Sequence, residues 1–169
     1  RKAFTFNPRL SNRKTKEMSE QIDHDENAVS IHVRRGDYLE PKYWKTTGCV
    51  CQLPYYLNAI AEMNKRISQP SYYVFSDDIA WVKENLPLPK AFFIDWNKGA
   101  ESWQDMMLMS RCRHHIICNS TFSWWGAWLN PRENKTVIMP ERWFRHCETP
   151  DICPDKWIKV PINQPDSIQ

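Results

Sequence analysis

The sequence predicts an α/β fold built on a parallel sheet with helices on both faces. Short apolar runs rich in β-branched and aromatic residues recur along the chain, and segments with helical periodicity separate them. Apolar strands that alternate with helices form parallel sheets, because right-handed crossovers cover both sheet faces. A chain of 169 residues is long enough for one such domain with a sizeable core.

Five apolar runs are predicted to be the strands. The first, AVSIHV, alternates small or β-branched apolar residues with Ser and His, which is typical of a short buried strand. The others contain the sequences YYVF, AFFI, HIIC and TVIM. The predicted bounds of the five strands are residues 28–33, 72–75, 91–94, 115–118 and 136–139.

Helices are predicted between these strands. Residues 53–68 carry apolar side chains at i, i+3, i+4 and i+7 spacing, so one face of this helix is expected to be buried. Sequence patterns place a surface helix at 11–22, with Ser11 or Asn12 as its cap, and another helix at 76–86 that prolines end. The pattern Ser-Trp-Gln-Asp at 102–105 resembles a capping box that opens a helix, and 122–129 predicts a short aromatic helix.

The two ends of the chain differ in composition from its middle. Residues 1–27 are polar and charged and are predicted to be a lead-in, whereas the Pro-rich tail at 146–169 is expected to be mostly irregular. The core domain is therefore predicted to span residues 28–145.

Composition narrows the class of protein. The apolar content of 41% is ordinary for a soluble globular domain, and the chain contains no apolar stretch of membrane-spanning length. The formal net charge of +3 is too small to indicate nucleic-acid binding by itself. The six cysteines are expected to be free thiols, with a Cys147–Cys153 disulfide as the alternative in an oxidising compartment.

Two adjacent arginines follow the first predicted strand. Arg34 and Arg35 stand where the apolar run stops, and Gly36 and Asp37 then turn the chain. A guanidinium is costly to bury without a partner, and its fork of donors suits phosphate or carboxylate. The pair therefore indicates an anionic ligand. The alternative is structural: one arginine pairs with Asp37 and the other is solvated.

Polar residues also follow the other predicted strands. In open α/β sheets, ligands bind beyond the carboxyl ends of the strands. Helix capping explains some of these residues, but it does not explain the arginines or a histidine inside a strand. A nucleoside diphosphate would suit a site with arginines on one side and carboxylates on the other. With four glycines and neither GxGxxG nor GxxxxGK[ST], the chain has no glycine-rich phosphate loop. The strand-end residues are Ser76, Asp77, Asp78, Asp95, Asn119, Ser120 and Thr121.

Three segments resemble the motifs of a known enzyme family. HVRRGDY at 32–38, FSDD at 75–78 and NSTFSWWGAWLN at 119–130 are similar, in order and spacing, to motifs of the α-1,2-fucosyltransferases, within family 11 of the glycosyltransferases. This family moves fucose from GDP-fucose to the 2-hydroxyl of galactose. The resemblance implies a Rossmann-like, donor-binding half of a GT-B-type enzyme, in which residues 28–145 bind the nucleotide sugar.

The resemblance also implies roles for individual residues. Arg34 is expected to hold the β-phosphate, and Arg35 to be partly structural, because alternation along a strand points the two side chains apart. Either Asp77 or Asp78 is expected to accept hydrogen bonds from guanine. Asp37 is expected to orient an arginine or to act as the general base. Glu40 is the other candidate by position, and a base from elsewhere, or none, is left open. The remaining donor-binding residues are predicted to be His32, Asn119, Ser120, Thr121 and Phe122.

The implied reaction is an inverting glycosyl transfer with a galactose-terminated glycan as acceptor. Charge accumulates on the departing GDP, and neither a divalent metal nor another cofactor is predicted. Members of this family carry a further domain before the HxRR motif, whereas only 31 residues precede His32 here. The resemblance therefore implies that this chain is the carboxyl-terminal donor domain of a longer enzyme, expected to bind GDP-fucose weakly; whether it transfers the sugar by itself is left open. The expected location is the bacterial cytoplasm, with peripheral contact at the inner face of the membrane left open.

Two alternatives belong to other functional classes. Arginines beside exposed aromatic residues are also typical of a module that binds single-stranded nucleic acid, for which a steep salt dependence of binding would be diagnostic. The tripeptide Arg-Gly-Asp at 35–37 occurs in adhesion ligands, but here it adjoins a core strand and not a loop tip.

Overall fold

The fold is a single parallel sheet between two layers of helices. In this computed structural model, the structure describes residues 4–44, 46–48 and 50–162. Within these ranges six strands pair in the order β3-β2-β1-β4-β5-β6, all parallel. The strands are β1 Ala28–Val33, β2 Ser71–Ser76, β3 Ala91–Ile94, β4 His114–Ile116, β5 Val137–Pro140 and β6 Ile158–Val160.

Five α-helices connect and cover these strands within the described ranges. Five residues of α2 are buried against one face of the sheet, in a core cluster that also includes residues of β1 and α3. The opposite face is covered by α1, α4 and α5, so the predicted coverage of both faces is confirmed. The helices are α1 Arg13–His24, α2 Leu53–Arg66, α3 Ile79–Asn85, α4 Trp103–Arg111 and α5 Thr121–Leu129.

Strand β1 is buried along its whole length at the centre of the sheet. Val29, Ile31 and Val33 belong to the core cluster that contains α2. The alternate positions point to the other face, where Ala28 joins the cluster that contains α1 and α4. This alternation continues past the strand and determines which arginine enters the site.

The lead-in of the chain packs onto the domain. Helix α1 begins after Asn12, whose side chain accepts a hydrogen bond from the backbone N–H of Thr15, as the predicted cap would. Ile22 of α1 is fully buried in the core cluster beneath α4. The first helix is thus a structural part of this domain.

The tail differs from its prediction. The prediction of an irregular tail is wrong for Ile158–Val160, which forms β6 and pairs with β5 at the sheet edge. The tail also buries Trp157, whose ring lies 5.6 Å from that of Trp124 on α5. A strand of three residues is too short to show an alternation pattern in the sequence.

The start of α4 also differs from its prediction. Ser102 precedes the helix, but its side chain makes no capping hydrogen bond to the described residues, so the predicted capping box does not form. The carboxylate of Asp105 instead accepts a hydrogen bond from the Asn97 side chain, at 2.7 Å. The Asp105 carboxylate is therefore bonded to a residue of the loop after β3, and not to the backbone at the start of α4.

The described cysteines are free thiols. Cys51, Cys112 and Cys118 are buried, whereas Cys147 and Cys153 line a small cavity of about 260 Å³ without forming a disulfide. The sixth, Cys49, lies outside the described residues. Within the described ranges, no helix has the length and apolar character needed to cross a bilayer.

Candidate nucleotide-sugar site

A cavity of about 900 Å³ opens at the carboxyl edge of the sheet. Residues from the ends of β1, β2 and β3 line it, together with the segment that joins β4 to α5. The strand order reverses between β1 and β4, and in open α/β sheets this is where ligands bind. The lining residues are His32, Arg34, Asp37, Tyr38, Phe75, Ser76, Asp77, Ile79, Ile94, Asp95, Asn97, Lys98, Gly99, Ser102, Asp105, Ser120, Thr121 and Phe122.

Arg34 supplies a guanidinium to this cavity. Its Nη2 lies 2.8 Å from Oδ1 of Asp37, and its Nη1 lies 3.2 Å from Oδ2 of Asp77. Partial burial alone would lower the pKa of Arg34, but the hydrogen bond to Asp37 and the charges of both carboxylates outweigh burial and raise it. The group is therefore a fixed positive charge, held in place by two carboxylates before any ligand arrives.

Arg35 points away from the cavity lining. Its guanidinium lies over the ring of Trp81, 3.9 Å from the ring centroid, and its Nε lies 3.1 Å from Oδ2 of Asp78. Trp81 packs against the core cluster that contains Val33. The Arg35 side chain therefore lies on the same face of the sheet as the side chain of Val33. The cation–π contact and the ion pair together attach the β1–α2 loop to α3.

The two aspartates after β2 have different partners. Asp77 lines the cavity, where it pairs with Arg34 and also accepts a hydrogen bond from the backbone N–H of Arg35, at 2.9 Å. Asp78 caps α3 by accepting from the N–H of Trp81, at 3.0 Å, and pairs with Arg35. Both carboxylates are thus engaged by the arginine pair or its backbone.

The lack of a side chain at Gly36 lets the chain after β1 pass close to the Asp77 carboxylate. A Cβ atom built at this position would lie 2.6 Å from Oδ2 of Asp77, well inside van der Waals contact. Any larger residue at this position must displace the carboxylate that pairs with Arg34.

His32 forms part of the cavity wall as a neutral imidazole. Its Nδ1 lies 3.3 Å from Sγ of Cys118, and the ring of Phe122 packs against it at a centroid distance of 5.7 Å. Burial, together with the nearby charge of Arg34, lowers the pKa of His32 to about 3. Burial raises the pKa of Cys118 to about 11, so the pair is a neutral thiol and a neutral ring, and not a thiolate–imidazolium nucleophile.

The amino end of α5 faces the cavity beside Arg34. Ser120 and Thr121 line the cavity at this end, and the side chain of Ser120 makes no capping hydrogen bond to the described residues. The first backbone N–H groups of a helix have no partner within the helix, and they carry the positive end of its dipole. This end of α5 can therefore donate hydrogen bonds to an anion.

Asn119 has a different position from that predicted. Its side-chain amide is buried and donates to the carbonyl oxygens of Thr47 and Trp143, at 2.8 and 3.1 Å. The main-chain carbonyl oxygen of Asn119 accepts a hydrogen bond from the Tyr38 hydroxyl, at 3.2 Å. Asn119 thus ties the β4–α5 segment to two neighbouring loops.

The structure brings together seven of the residues predicted for the site and places others outside the cavity lining. Those in the lining are His32, Arg34, Asp37, Asp77, Ser120, Thr121 and Phe122. Those outside it are Arg35, Asp78 and Asn119, each of which makes a hydrogen bond with a residue of the lining. The alternative general base, Glu40, is also outside and pairs with Lys42 at 2.8 Å.

The sequence prediction missed the side of the cavity after β3. The sequence marks Asp95 only as a strand-end residue and Asp105 only as part of a capping box, and it gives no indication for Asn97. All three line the cavity. Burial raises the pKa of Asp105 to about 7, with the Asn97 hydrogen bond acting in the opposite direction. The position of Asp105 within its helix gave no signal, because acidic residues are common in a first helical turn.

This geometry suits an extended anionic ligand. The Arg34 guanidinium and the amino end of α5 lie near β1 and β4. The side chains of Asp95 and Asn97 follow β3, which is two strands away from β1. Because neighbouring strands are about 4.8 Å apart, these two regions are separated by roughly 10 Å along the sheet edge. Among the described residues, no group of three or more His, Cys, Asp or Glu is arranged to hold a metal ion.

Comparison with known proteins agrees with this geometry. The chain is 37% identical over 159 residues to an Escherichia coli protein named alpha-1,2-colitosyltransferase, covering 92% of this chain and 54% of the relative. It is 36% identical over 140 residues to the O-antigen biosynthesis glycosyltransferase WbnK of Escherichia coli, covering 82% of this chain and 46% of the relative. A galactoside alpha-(1,2)-fucosyltransferase 1 from Saimiri boliviensis boliviensis is 35% identical over 105 residues, or 60% of this chain and 28% of the relative.

The chain spans about half the length of the two bacterial relatives. The sequence model that describes glycosyl transferase family 11 matches residues 8–160. This range includes all six strands and the whole cavity lining. With nearly all of its length matched in this way, the chain belongs to glycosyl transferase family 11.

Proposed function

We propose that this chain is the donor-binding part of an α-1,2-fucosyltransferase and that its cavity binds GDP-fucose. The observation that carries the proposal is the position of Arg34. This residue places a permanently charged guanidinium beside the amino end of α5, at the point where the strand order of the sheet reverses.

The diphosphate is proposed to occupy the side of the cavity next to β1 and β4. Arg34 can donate to a phosphate those N–H groups that Asp37 and Asp77 do not use, and the backbone of Ser120 and Thr121 offers further donors. Asp37 and Asp77 hold the guanidinium in this position, so little side-chain freedom is lost when the ligand binds. Neutral His32 adds no charge to this region.

The guanine base is proposed to lie toward β2 and β3, where the acidic side chains can accept its N–H groups. Of the two aspartates that the sequence suggested for this role, Asp77 is in the lining and Asp78 caps α3. Asp77 would accept from guanine only by loosening its contact with Arg34. The carboxylates that follow β3 are therefore further candidates for the base-binding role.

The proposed reaction breaks the bond between fucose and the β-phosphate and forms a bond to an acceptor hydroxyl, whose proton passes to a base. Negative charge develops on the departing GDP, and Arg34 with the amino end of α5 stabilises it. Asp37 lies in an ion pair with Arg34, which favours an orienting role for this carboxylate. The acceptor is proposed to be a galactose-terminated glycan.

A second candidate for the donor is GDP-colitose. Colitose is fucose without one ring hydroxyl, and a relative named for colitosyl transfer matches 92% of this chain. An enzyme that hydrogen-bonds the additional hydroxyl of fucose would discriminate strongly against colitose, whereas an apolar contact at that position would accept both sugars.

Calorimetry with GDP-fucose, GDP-colitose, GDP and ADP tests the proposal. We expect both GDP and at least one GDP-sugar to bind, and ADP to bind at least tenfold more weakly, because adenine lacks the N–H pattern of guanine. Equal affinity for GDP and ADP would contradict the guanine assignment. Tight binding of a single-stranded oligonucleotide with a steep salt dependence, without GDP binding, would support the nucleic-acid alternative.

A further inference from the structure

Two large apolar side chains are exposed to solvent in the loop between β1 and α2. Leu39 is 42% exposed and Trp44 is 46% exposed. The indole Nε1 of Trp44 donates a hydrogen bond to the carbonyl oxygen of Leu39, at 2.9 Å, so the two residues form one surface, here called the Leu39–Trp44 surface. This loop adjoins the cavity, because Asp37 and Tyr38 line it. A contiguous apolar patch beside a cavity is a candidate interaction site.

Backbone contacts hold the loop in a closed shape. The N–H of Gly48 donates to the carbonyl oxygen of Tyr43, at 2.7 Å, and a Cβ atom built at Gly48 would lie 2.6 Å from the carbonyl oxygen of Tyr38. Arg145 donates from Nη1 to the carbonyl oxygen of Trp44, at 3.2 Å. Trp44 is thus held at its main chain and at the edge of its indole. Such a side chain loses little freedom when a ligand contacts the face of its ring.

The loop is attached to the side of the cavity where the diphosphate is proposed to bind. The Tyr38 hydroxyl donates to the main-chain carbonyl oxygen of Asn119, whose side-chain amide donates to the carbonyl oxygen of Thr47. Asn119 directly precedes Ser120 and the amino end of α5. The transferred sugar is bonded to the β-phosphate, so the acceptor must approach this side, and not the side after β3. The Leu39–Trp44 surface therefore adjoins the side from which an acceptor would come.

An exposed indole suits the ring of a sugar. The C–H groups on one face of a pyranose carry a small positive charge, whereas the face of an aromatic ring is negative. Glu40 and Lys42, which lie between Leu39 and Trp44 in the sequence, are exposed and offer acceptors and donors for hydroxyl groups. They pair with each other at 2.8 Å, so their charges cancel. This balance favours an uncharged glycan over the phosphate backbone of a nucleic acid.

We propose that the Leu39–Trp44 surface is an acceptor subsite, on which a pyranose ring of the galactose-terminated glycan stacks against the indole of Trp44. This inference rests on the proposed function and adds to it the place where the acceptor binds. Trp44 is a binding residue in this role. It contributes to the affinity and orientation of the glycan, and it takes no part in proton transfer.

The test is an NMR titration of the whole, isotope-labelled chain with lactose, a galactose-terminated disaccharide, at saturating GDP. The Trp44→Phe variant lacks one indole N–H signal and thereby identifies the signal of Trp44. In the wild-type protein this signal should shift as lactose is added, with a Kd of roughly 1–10 mM, as expected for a small uncharged ligand on an open surface. Sorbitol, an acyclic polyol without a ring face, should leave the signal in place.

Variants measure the contribution of the indole. Trp44→Ala should bind lactose about three- to tenfold more weakly than the wild type, and Trp44→Phe should lose less, because a phenyl ring retains part of the stacking face. The matched control is Phe4→Ala, which removes an aromatic side chain that is 61% exposed and lies outside the cavity lining. This control should bind lactose as the wild type does. Should Trp44→Ala not fold, the wild-type titration and Trp44→Phe still decide.

The possible failures are distinguishable. If the wild-type protein binds no GDP, the proposed function fails and the acceptor subsite fails with it. If the protein binds GDP but lactose leaves the Trp44 signal in place, or sorbitol shifts it equally, only the acceptor subsite is overturned. Equal affinity of the wild type and Trp44→Ala for lactose would overturn it as well. A shift that follows the protein concentration and not the lactose concentration would assign the surface to self-association instead.

Discussion

The Nη2 atom of Arg34 lies 2.8 Å from Oδ1 of Asp37, three residues further along the chain. The short turn between them brings the chain back on itself, and Asp77 from the neighbouring strand end completes the arrangement at 3.2 Å from Nη1. Arg35, although adjacent, contacts Trp81 and Asp78 instead. The two arginines therefore belong to different environments, and substitutions should separate their roles.

Replacing Arg34 by Ala should lower the affinity for GDP by about 10- to 100-fold, because the proposed charge-assisted contact with phosphate would be lost. The matched change Arg35→Ala should affect the affinity less and instead lower the free energy of unfolding by about 1–2 kcal/mol, through the lost cation–π contact and ion pair. Calorimetry and urea denaturation of both variants measure these effects. If Arg35→Ala weakened GDP binding and Arg34→Ala only lowered stability, Arg35 and not Arg34 would be the ligand-binding arginine.

Replacing Gly36 by Ala should destabilise the protein by about 1–3 kcal/mol and weaken GDP binding, because the new Cβ must displace the Asp77 carboxylate. A double-mutant cycle with Asp77→Ala identifies the cause. In the Asp77→Ala background, Gly36→Ala should cost much less, since the group with which it collides is gone. Additive effects in the cycle would show that the cause lies in the backbone and not in Asp77.

The stability of the protein should depend on pH through His32. In the folded state the pKa of His32 is lowered to about 3, whereas in the unfolded chain it is about 6.5. Between these values the unfolded state binds a proton that the folded state does not. The stabilising contribution is therefore complete above about pH 6.5 and is lost as pH falls toward 3.

Urea denaturation at several pH values between 4 and 7 measures this dependence. The free energy of unfolding of His32→Asn should fall less steeply on acidification than that of the wild type, by about 1.4 kcal/mol per pH unit. Asp105 also titrates in this pH range, but both proteins contain it, so its contribution cancels in the difference between the two slopes. Identical slopes would mean that His32 becomes protonated in the folded protein.

Replacing Trp157 by Ala tests whether the tail belongs to the domain. Its side chain is buried and packs against Trp124, so the substitution should lower the free energy of unfolding by about 3–5 kcal/mol. Trp44 offers a matched control, because its side chain is 46% exposed, and Trp44→Ala should cost less than about 1 kcal/mol. A small effect of Trp157→Ala would mean that β6 and its neighbours are dispensable.

Much of the sheet was predictable because its strands are short, apolar and bounded by polar residues. The bounds predicted for β1 and β3 agree with the structure, and the predicted cap Asn12 opens α1. Alternation along β1 also predicted that Arg34 and Arg35 point apart, and they do, since one lines the cavity and the other lies on Trp81. Strand β6 was not predictable, because three residues give no periodic signal and their partner is the distant β5.

The cavity lining was predictable where a residue type was unusual for its position, and not where tertiary contacts place a residue in the lining. Two adjacent arginines at a strand end have few structural explanations, so they indicated a ligand. Asp105 looks like an ordinary acidic residue at a helix start. Its orientation in the cavity depends on Asn97, which contacts it, and on Asn12, which contacts Asn97. These two residues lie 8 and 93 positions from Asp105 in the sequence.

The paired state of Arg34 has a consequence for the empty cavity. A guanidinium with two carboxylate partners is not an isolated charge when no ligand is bound, because Asp37 and Asp77 are in contact with it. The empty cavity is therefore not strongly destabilised. In the proposed function, such a site would release the diphosphate after transfer without leaving an unpaired arginine behind.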